Sequence, residues 1–342
     1  MKTVLVTGGA GFIGSNFIRH LLSRHDYGLI NLDALTYAGN PDNLRDVESD
    51  PRYRFVHGDI RDAETVRPLM READAVVNFA AETHVDRSLM QGGNFIETDV
   101  LGTYVLLEEA RRADIQRFLH ISTDEVYGDI APGLASHEDD PLNPRSPYAA
   151  SKAGAEMQCR AFFETYGLPV VISRGSNNIG PHQHPEKAVP LFVTNALDDQ
   201  PIPLYGDGRQ VRDWQYVEDH CAALDLLLHH GEPGEAYNVG ADNQRPNIEV
   251  VHTILALLDK PSTLIRHVED RPGHDRRYSL DSSKIGALGW TPRHDSQAAI
   301  EKTVAWYVDN RWWWEKIKLG QYREYYQQQY GRRLAGAPPI SE

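Results

Sequence analysis

Short apolar runs alternate with longer amphipathic stretches through the first half of the chain. The apolar runs predict strands at residues 3–7, 29–33, 53–57, 75–79, 117–122 and 170–174. Between them, apolar positions that recur every three or four residues predict helices at 13–24, 63–71, 95–112 and 148–166. This alternation is typical of a doubly wound parallel sheet, so the predicted fold class is α/β. Ligands in such sheets bind beyond the carboxyl ends of the strands.

The pattern changes after about residue 178, where loops rich in Pro, Gly, His and Asp separate shorter elements. This change predicts a larger first domain over residues 1–178 and a smaller, discontinuous substrate lobe over 179–333. A segment at about 212–238 is expected to return to the first domain. The Pro-, Gly- and Ala-rich residues 334–342 are expected to form a flexible tail, and the aromatic run 312–314 is expected to pack in the core.

Composition and charge exclude several classes of function. The 342 residues include 35 Lys and Arg against 49 Asp and Glu, a net charge of −14. A surface this acidic repels nucleic acid and anionic membranes, so neither is expected as a partner. No apolar run reaches the roughly 18 residues of a membrane span, and the N-terminus is not typical of a secretory signal. Two cysteines, Cys159 and Cys221, cannot form a disulfide framework, so a reduced, cytoplasmic setting is expected.

The first predicted strand runs into a glycine-rich turn. Gly8, Gly11 and Gly14 recur at every third position, directly before a predicted helix. Such glycines allow a tight turn and a close approach of the backbone to a pyrophosphate, which the helix N-terminus also attracts. Asp33 lies 19 residues after Gly14, where a carboxylate binds a ribose 2′-hydroxyl and repels a 2′-phosphate. The turn therefore predicts an NAD-binding Rossmann domain over residues 1–178.

A second group of polar residues follows the fifth strand. Thr123 comes just after that strand, and Tyr148 and Lys152 open the next helix four residues apart, on one helix face. An ammonium beside a phenol favours the phenolate, so we expect Lys152 to lower the pKa of Tyr148 from its ordinary value of about 10. A phenolate can take a proton from a hydroxyl while hydride leaves the same carbon.

These three residues resemble the catalytic set of the extended short-chain dehydrogenase/reductase superfamily, and residues 123–128 (TDEVYG) are similar to the signature of its nucleotide-sugar 4,6-dehydratases. The resemblance covers about residues 1–333. It implies a hydro-lyase with bound NAD that acts on a nucleoside diphosphate hexose, dTDP-glucose foremost, in the biosynthesis of deoxysugars such as rhamnose. It also implies that Asp124 is the acid and Glu125 the base of a water elimination. Neighbouring carboxyls with opposite protonation need environments that separate their pKa values.

The resemblance assigns binding residues along the chain. Those implied for NAD are Gly8, Gly11, Phe12, Ile13, Gly14, Asp33, Ala34, Leu35, Thr36, Asp59, Ile60, Ala80, Ala81, Thr98, Tyr148, Lys152 and Asn178. Those implied for the nucleotide sugar are His84, Thr123, Asn177, Lys187, Pro203, Tyr205, Arg212, Asn247, Arg271 and His274. Arg212 and Arg271 would bind the diphosphate, since a guanidinium offers paired donors to phosphate oxygens. The alternatives are that Arg212 and Asp213 form only an internal ion pair and that 270–278 is only a charged surface loop.

Other functions stay open at this point. A nucleotide-sugar 4-epimerase would use Thr123, Tyr148 and Lys152 but not the two carboxyls, and a non-catalytic, NAD-sensing interaction protein would have no turnover. The choice between thymidine and uridine diphosphates is also open. No metal is expected, because His182 and His184 lack Cys or acidic partners at ligand spacing.

A homodimer is expected, because the family is usually joined by two helices per subunit. Here those helices would be 95–112 and 148–166, which carry apolar positions beyond one stripe. The alternative is that both helices simply pack on the sheet.

Overall fold

The computed structural model describes residues 1–336, and residues 337–342, which make up most of the predicted flexible tail, lie outside the described residues. The strands of the described part are β1 (Thr3–Thr7), β2 (Gly28–Asp33), β3 (Tyr53–His57), β4 (Ala75–Asn78), β5 (Arg117–Thr123), β6 (Val170–Gly175), β7 (Asn177–Ile179), β8 (Ile202–Tyr205), β9 (Val211–Tyr216), β10 (Ala236–Val239), β11 (Gln244–Pro246) and β12 (Ile265–Val268). Its α-helices are α1 (Phe12–Arg24), α2 (Ala63–Glu72), α3 (Val85–Met90), α4 (Gly92–Phe95), α5 (Thr103–Arg112), α6 (Pro147–Tyr166), α7 (Ala188–Leu197), α8 (Val217–His230), α9 (Asn247–Leu257), α10 (Ser283–Ala287), α11 (Ser296–Asp309), α12 (Arg311–Ile317) and α13 (Gln321–Ala335).

A seven-stranded parallel sheet forms the centre of the molecule, in the order β10-β6-β5-β4-β1-β2-β3. The six predicted strands agree with the observed ones to within one residue at each end. The α/β, doubly wound fold class is therefore confirmed. The strand order reverses between β1 and β4, which makes that edge the crevice where ligands of such sheets bind.

Helices cover both faces of this sheet. On one face, α1 and α8 pack together over a core that includes Phe17, Leu21 and Leu224. On the other, α2, α5 and α6 cover a core that includes Leu69, Leu107 and Phe162. Because both faces are buried, the central strands have continuous apolar runs rather than alternating ones.

The predicted helix 95–112 is not one regular α-helix. Residues Ile96–Gly102 form a π-helical segment between α4 and α5. A π-helical segment wraps more residues into each turn than the α-helical period that the prediction assumed, and it places Asp99 in the interior, where it is 1% exposed. Such segments are frequent at functional sites.

Residues after 178 build a smaller lobe with its own core. Its sheets are β11-β9-β7 and β12-β8, and α7, α9 and α11–α13 pack around them. Trp313 and Trp314 are buried there, as predicted, but Trp312 is 46% exposed, so its prediction was wrong. Helix α12 turns Trp312 outward, where the Lys316 ammonium lies 5.0 Å from its ring.

The chain crosses between the two parts more than once. Within the predicted returning segment 212–238, β9 stays in the small sheet, whereas α8 packs on α1 and β10 pairs with β6. Helix α13 continues to Ala335, so the first residues of the predicted tail are helical. Among residues 1–336, no helix is long and apolar enough to span a membrane.

Candidate active site

Two adjoining cavities lie at the carboxyl ends of the central strands. The larger has a volume of about 630 Å³ and runs from Asp33 and Asp59 past the glycine-rich turn to Lys152. The smaller, of about 270 Å³, lies between the sheet and the small lobe. The cavities meet at residues that line both, among them Ile121, Ser122, Tyr148 and Gln183.

The structure brings the predicted site residues together in these cavities. Of those predicted for NAD, all but Leu35 and Asn178 line the larger cavity. Leu35 donates its N–H to Asp33 Oδ1 at 2.8 Å instead, and Asn178 lines the smaller cavity. Every residue predicted for the nucleotide sugar lines the smaller cavity, together with Thr123, Asp124, Glu125 and Tyr148. Their individual roles remain predictions.

The glycine-rich turn fits a dinucleotide. Gly8 has a φ of +69°, and a Cβ there would lie 2.6 Å from Ala80 N; a Cβ on Gly14 would lie 2.4 Å from Gly8 O. Within the described residues, the N-terminus of α1 has no side-chain cap, so its backbone N–H groups are available to an anion. The Asp33 carboxylate accepts the N–H of Ala10 at 2.9 Å and keeps lone pairs for a hydroxyl. The residues therefore fit NAD.

Tyr148 and Lys152 lie near the start of α6, as predicted, because Ser146 caps that helix and Pro147 occupies its first turn. The expected lowering of the Tyr148 pKa by Lys152 was wrong. Burial, followed by the charge of Glu125, raises the pKa of the phenol well above its ordinary value. The Lys152 ammonium instead donates to Ile121 O at 2.6 Å.

Asp124 and Glu125 follow β5 in a single 3₁₀ turn that Thr123 caps with its hydroxyl. Burial, followed by the charge of Glu125, raises the pKa of Asp124 to about 8. Burial also raises the pKa of Glu125, but there the charges of Arg271, Arg212 and Lys187 oppose it. The two neighbouring carboxyls therefore have different electrostatic environments, and Asp124 keeps its proton at neutral pH.

The positive groups of the small lobe face this pair of carboxyls. Arg212 donates to the backbone oxygens of Val211 and Asp275 at 2.8 and 2.9 Å, and the Asp213 carboxylate instead accepts backbone N–H groups of the 241–243 turn. The predicted alternative of an Arg212–Asp213 ion pair is therefore wrong. Arg271 pairs with Asp86 at 2.9 Å, and its buried Nε has no partner among residues 1–336. Segment 270–278 therefore reaches the cavity, so it is more than a surface loop.

Several residues that the sequence analysis did not assign individually to the site also line or adjoin the cavities. Asp86, Glu186, Tyr278 and Tyr330 all line the smaller cavity. Asp99 lies behind the larger one, where burial raises its pKa to about 6 and the Lys152 charge lowers it. For Asp99 the signal was its position beside the predicted Thr98. For Tyr330 there was none, because only the fold brings α13 to the cavity.

The histidines considered as metal ligands do not converge. His182 packs against Trp306 and Trp313, whereas His184 packs against Tyr37. Elsewhere, on the face of α1 and α8, His25, Asp225 and His229 lie within ligand distance of one another. There the Asp225 carboxylate already pairs with the His25 and His229 rings at 2.9 and 3.1 Å.

Comparisons with known proteins agree with this geometry. The family model described as GDP-mannose 4,6 dehydratase matches residues 5–303. The dTDP-glucose 4,6-dehydratase of Escherichia coli is 46% identical over 351 residues, 93% of this chain and 97% of that protein. The low-salt glycan biosynthesis protein Agl12 of Haloferax volcanii is 52% identical over 305 residues, 89% of this chain and 98% of that protein.

A solved structure of a dehydratase also matches this chain closely. The crystal structure of DesIV, a dTDP-glucose 4,6-dehydratase from Streptomyces venezuelae with NAD and TYD bound, superimposes with a TM-score of 0.91. It is 51% identical in sequence, and the match covers 92% of this chain and 100% of that one. The chain therefore belongs to the nucleotide-sugar 4,6-dehydratases of the extended short-chain dehydrogenase/reductase superfamily, among the relatives of the dTDP-glucose 4,6-dehydratases.

Proposed function

We propose that the protein is an NAD-dependent hydro-lyase that converts dTDP-glucose into dTDP-4-keto-6-deoxyglucose and water. The observation that carries this proposal is the pair Asp124 and Glu125, buried in the same cavity as Tyr148. A 4-epimerase needs a group for the C4 hydroxyl but no acid and base for C5 and C6. Two carboxyls in different electrostatic environments beside that group can supply the acid and the base of an elimination.

When bound, NAD would accept and later return one hydride, and its positive charge would favour the phenolate of Tyr148, which lines the same cavity. Tyr148 takes the proton of the C4 hydroxyl as hydride leaves C4. The Thr123 hydroxyl lines the same cavity and assists this step as a hydrogen-bonding group. Lys152 holds the strand end through its bond to Ile121 O and places positive charge behind the site.

The C4 ketone acidifies the C5 proton, and Glu125 removes it. Three cationic groups, Arg271, Arg212 and Lys187, favour the ionised form of this carboxyl against the effect of burial. Asp124, protonated at neutral pH, gives its proton to the C6 hydroxyl, which leaves as water. Hydride then returns to C6, and Glu125 returns its proton to C5. Glu125 therefore ends in the state in which it began, whereas Asp124 ends ionised and Tyr148 ends protonated, so one proton passes from Tyr148 to Asp124, directly or through solvent, before the next turnover.

The two parts of the chain bind different ligands. We propose that residues 1–178, with the returning elements α8 and β10, hold NAD and the reaction centre, and that the rest of 179–333, including β9, holds the nucleotide sugar. Lys187, Arg212 and Arg271 offer the diphosphate positive charge that the acidic surface lacks. The buried Nε of Arg271 has no partner in the part of the chain that the structure describes, which suits a phosphate oxygen.

We further propose a homodimer that buries the outer face of the predicted helices 95–112 and 148–166. That face presents side chains between 43% and 56% exposed, namely Ile96, Leu101, Tyr104, Met157 and Tyr166. An apolar patch of this kind marks an interaction surface, and a two-fold axis would pair it with itself. The proposed compartment is the cytoplasm, where two buried free thiols, Cys159 and Cys221, stay reduced. The product would feed rhamnose or another deoxysugar.

Mass spectrometry after incubation of the protein with dTDP-glucose tests the proposed function, with UDP-glucose in parallel. We expect the mass of one water to be lost from the sugar without accumulation of NADH, and faster loss from dTDP-glucose than from UDP-glucose. An unchanged mass with inverted C4 stereochemistry would make the protein an epimerase. No change in either sugar would contradict the choice of substrate.

A further inference from the structure

A cluster of histidines around one aspartate lies towards the C-terminal ends of α1 and α8, which pack together there. Asp225 of α8 is its centre, and none of its members lines either cavity. Among residues 1–336, His25, Asp225 and His229 form the one group of such side chains whose ligand atoms all lie within 4.8 Å of one another. The sequence holds no signal of this group, because His25 precedes Asp225 by 200 residues.

The ring nitrogens converge on the Asp225 carboxylate at distances that suit a metal ion. His25 Nε2 and His229 Nδ1 lie 2.9 and 3.1 Å from Asp225 Oδ1. In a tetrahedral zinc site with ligand distances of about 2.1 Å, neighbouring donor atoms lie about 3.4 Å apart. On the other side of the carboxylate, His20 Nε2 lies 3.1 Å from Oδ2, so a hydrogen bond holds the carboxylate in this orientation.

Tyr27 holds the two rings that face Asp225 Oδ1. The His25 ring stacks on the Tyr27 ring with centroids 4.8 Å apart, and the Tyr27 hydroxyl lies 2.8 Å from His229 Nε2. In this arrangement His229 Nδ1 donates its proton to the backbone oxygen of Asp225 at 2.7 Å. When Nδ1 binds a metal, the proton moves to Nε2, which then donates to Tyr27. A metal-ligating histidine almost always donates its other N–H to such an acceptor, which fixes the ring.

The position of the cluster in the fold also favours a cation. His25 is the C-cap of α1 and His229 lies in the last turn of α8, so the negative ends of two helix dipoles meet at the cluster. The side chains of His25, His229 and Asp225 are 25%, 24% and 15% exposed, so an ion can reach them from solvent. Imidazole and carboxylate ligands suit Zn²⁺, whereas Mg²⁺ prefers oxygen ligands alone.

We propose that His25, Asp225 and His229 bind one Zn²⁺ ion, with water in the fourth position. The ion joins the end of α1 to α8, the two helices that cover one face of the central sheet. It lies at the opposite end of α1 from the glycine-rich turn, so its role is to stabilise the fold and not to take part in the reaction. The inference goes beyond the proposed function and does not depend on it.

Calorimetric titration of Zn²⁺ into the full chain tests this site, with Mg²⁺ titrated in parallel. The protein carries no histidine tag, is treated with a chelator and is kept saturated with NAD. His25→Gln and Asp225→Asn each remove one ligand, and Tyr27→Phe removes only the acceptor behind His229. The control is His252→Gln, at an exposed histidine of α9.

We expect the wild-type chain to bind one Zn²⁺ ion and no Mg²⁺. His25→Gln and Asp225→Asn should each weaken Zn²⁺ binding at least about 100-fold, and Tyr27→Phe about tenfold, the usual effect of losing a group that orients a ligand. The affinity of the His252→Gln control should equal that of the wild type. At a free Zn²⁺ concentration of 100 times Kd, the wild-type Tm should rise by about 4 °C, and the Tm of His25→Gln should not rise.

Three results would overturn the proposal: no binding of Zn²⁺, binding that the two ligand variants leave unchanged, or binding that the control weakens as much as they do. Each would leave the cluster as a hydrogen-bond network between two helices. Circular dichroism checks that every variant is folded, and if Asp225→Asn unfolds, the partly exposed His25→Gln decides alone.

Discussion

Replacing Asp124 by Asn is expected to stabilise the fold while it removes most of the activity. The folded protein raises the pKa of this carboxyl from 3.8 to about 8, chiefly by burial. Because the folded pKa is raised, the carboxyl's favourable contribution is fully present below about pH 4 and is lost as the pH rises towards 8. At pH 7 the unfolded chain has released the proton, whereas the folded chain still holds it. This pH lies about three units above the unfolded pKa of 3.8.

At about 1.4 kcal/mol per unit, that gap lowers the free energy of unfolding by on the order of 4 kcal/mol at pH 7, and by about 2 kcal/mol at pH 5. Asn has nearly the same shape and does not titrate, and its carbonyl can still accept the bond from Thr123 Oγ1, which is 3.2 Å long. With an unfolding entropy of about 2 cal/mol/K per residue, the gain at pH 7 corresponds to a rise in Tm of about 6 °C.

Thermal unfolding followed by circular dichroism, with NAD saturating in every sample, measures this difference from pH 5 to pH 8. The matched control is Asp139→Asn, at an exposed aspartate. The Tm of the Asp124→Asn protein should exceed the wild-type value by an amount that grows with pH, whereas the control difference should stay small. A difference that shrinks with pH, or an Asp124→Asn protein that is less stable at pH 7, would refute the reasoning. The kcat of the same variant should fall by about 10²- to 10⁴-fold, which is the usual contribution of a general acid to the rate.

Wild-type kcat should fall about fivefold between pH 8 and pH 9, as Asp124 loses its proton, and a flat pH profile in steady-state assays would contradict its role as acid. Tyr148→Phe should retain NAD yet give no transient absorbance of the reduced cofactor when dTDP-glucose is added in stopped flow; a normal transient would remove Tyr148 from the C4 step. Glu125→Gln should still oxidise C4 but incorporate no solvent deuterium at C5, which proton NMR of the sugar measures. A Leu101→Glu, Met157→Glu double variant should have the mass of one chain in light scattering, with Leu134→Glu, at a more exposed leucine, as control; an unchanged mass would exclude this face from the dimer.

The sequence predicts the large sheet closely, because its strands are apolar runs that end at glycine or polar residues and both their faces are buried. The predicted strand 53–57 is also the observed one, although it is an edge strand with exposed positions. The π-helical segment at Ile96–Gly102 leaves no signal in the apolar periodicity. The exposure of Trp312 could not be predicted either, since it depends on how α12 sits against the small lobe.

The site residues were predicted from strings that follow strands, and the fold does bring them to two adjoining cavities. Charge was harder to predict than position. The i, i+4 spacing places Tyr148 and Lys152 on one helix face, but it does not fix where a four-carbon side chain ends. Lys152 reaches the carbonyl of Ile121, and burial then controls the phenol. Likewise, Arg212 lies next to Asp213 in sequence, yet alternation along β9 points the two side chains to opposite faces.

The central claim is an internal transfer in which the hydride that leaves C4 returns at C6 of the same sugar. The most direct test is NMR and mass spectrometry of the product formed from dTDP-glucose labelled with deuterium at C4. If the mechanism is right, the deuterium appears at C6 of dTDP-4-keto-6-deoxyglucose, and no label is lost to added unlabelled NAD. Deuterium found in the NAD pool, or retained at C4 of an epimerised sugar, would contradict it.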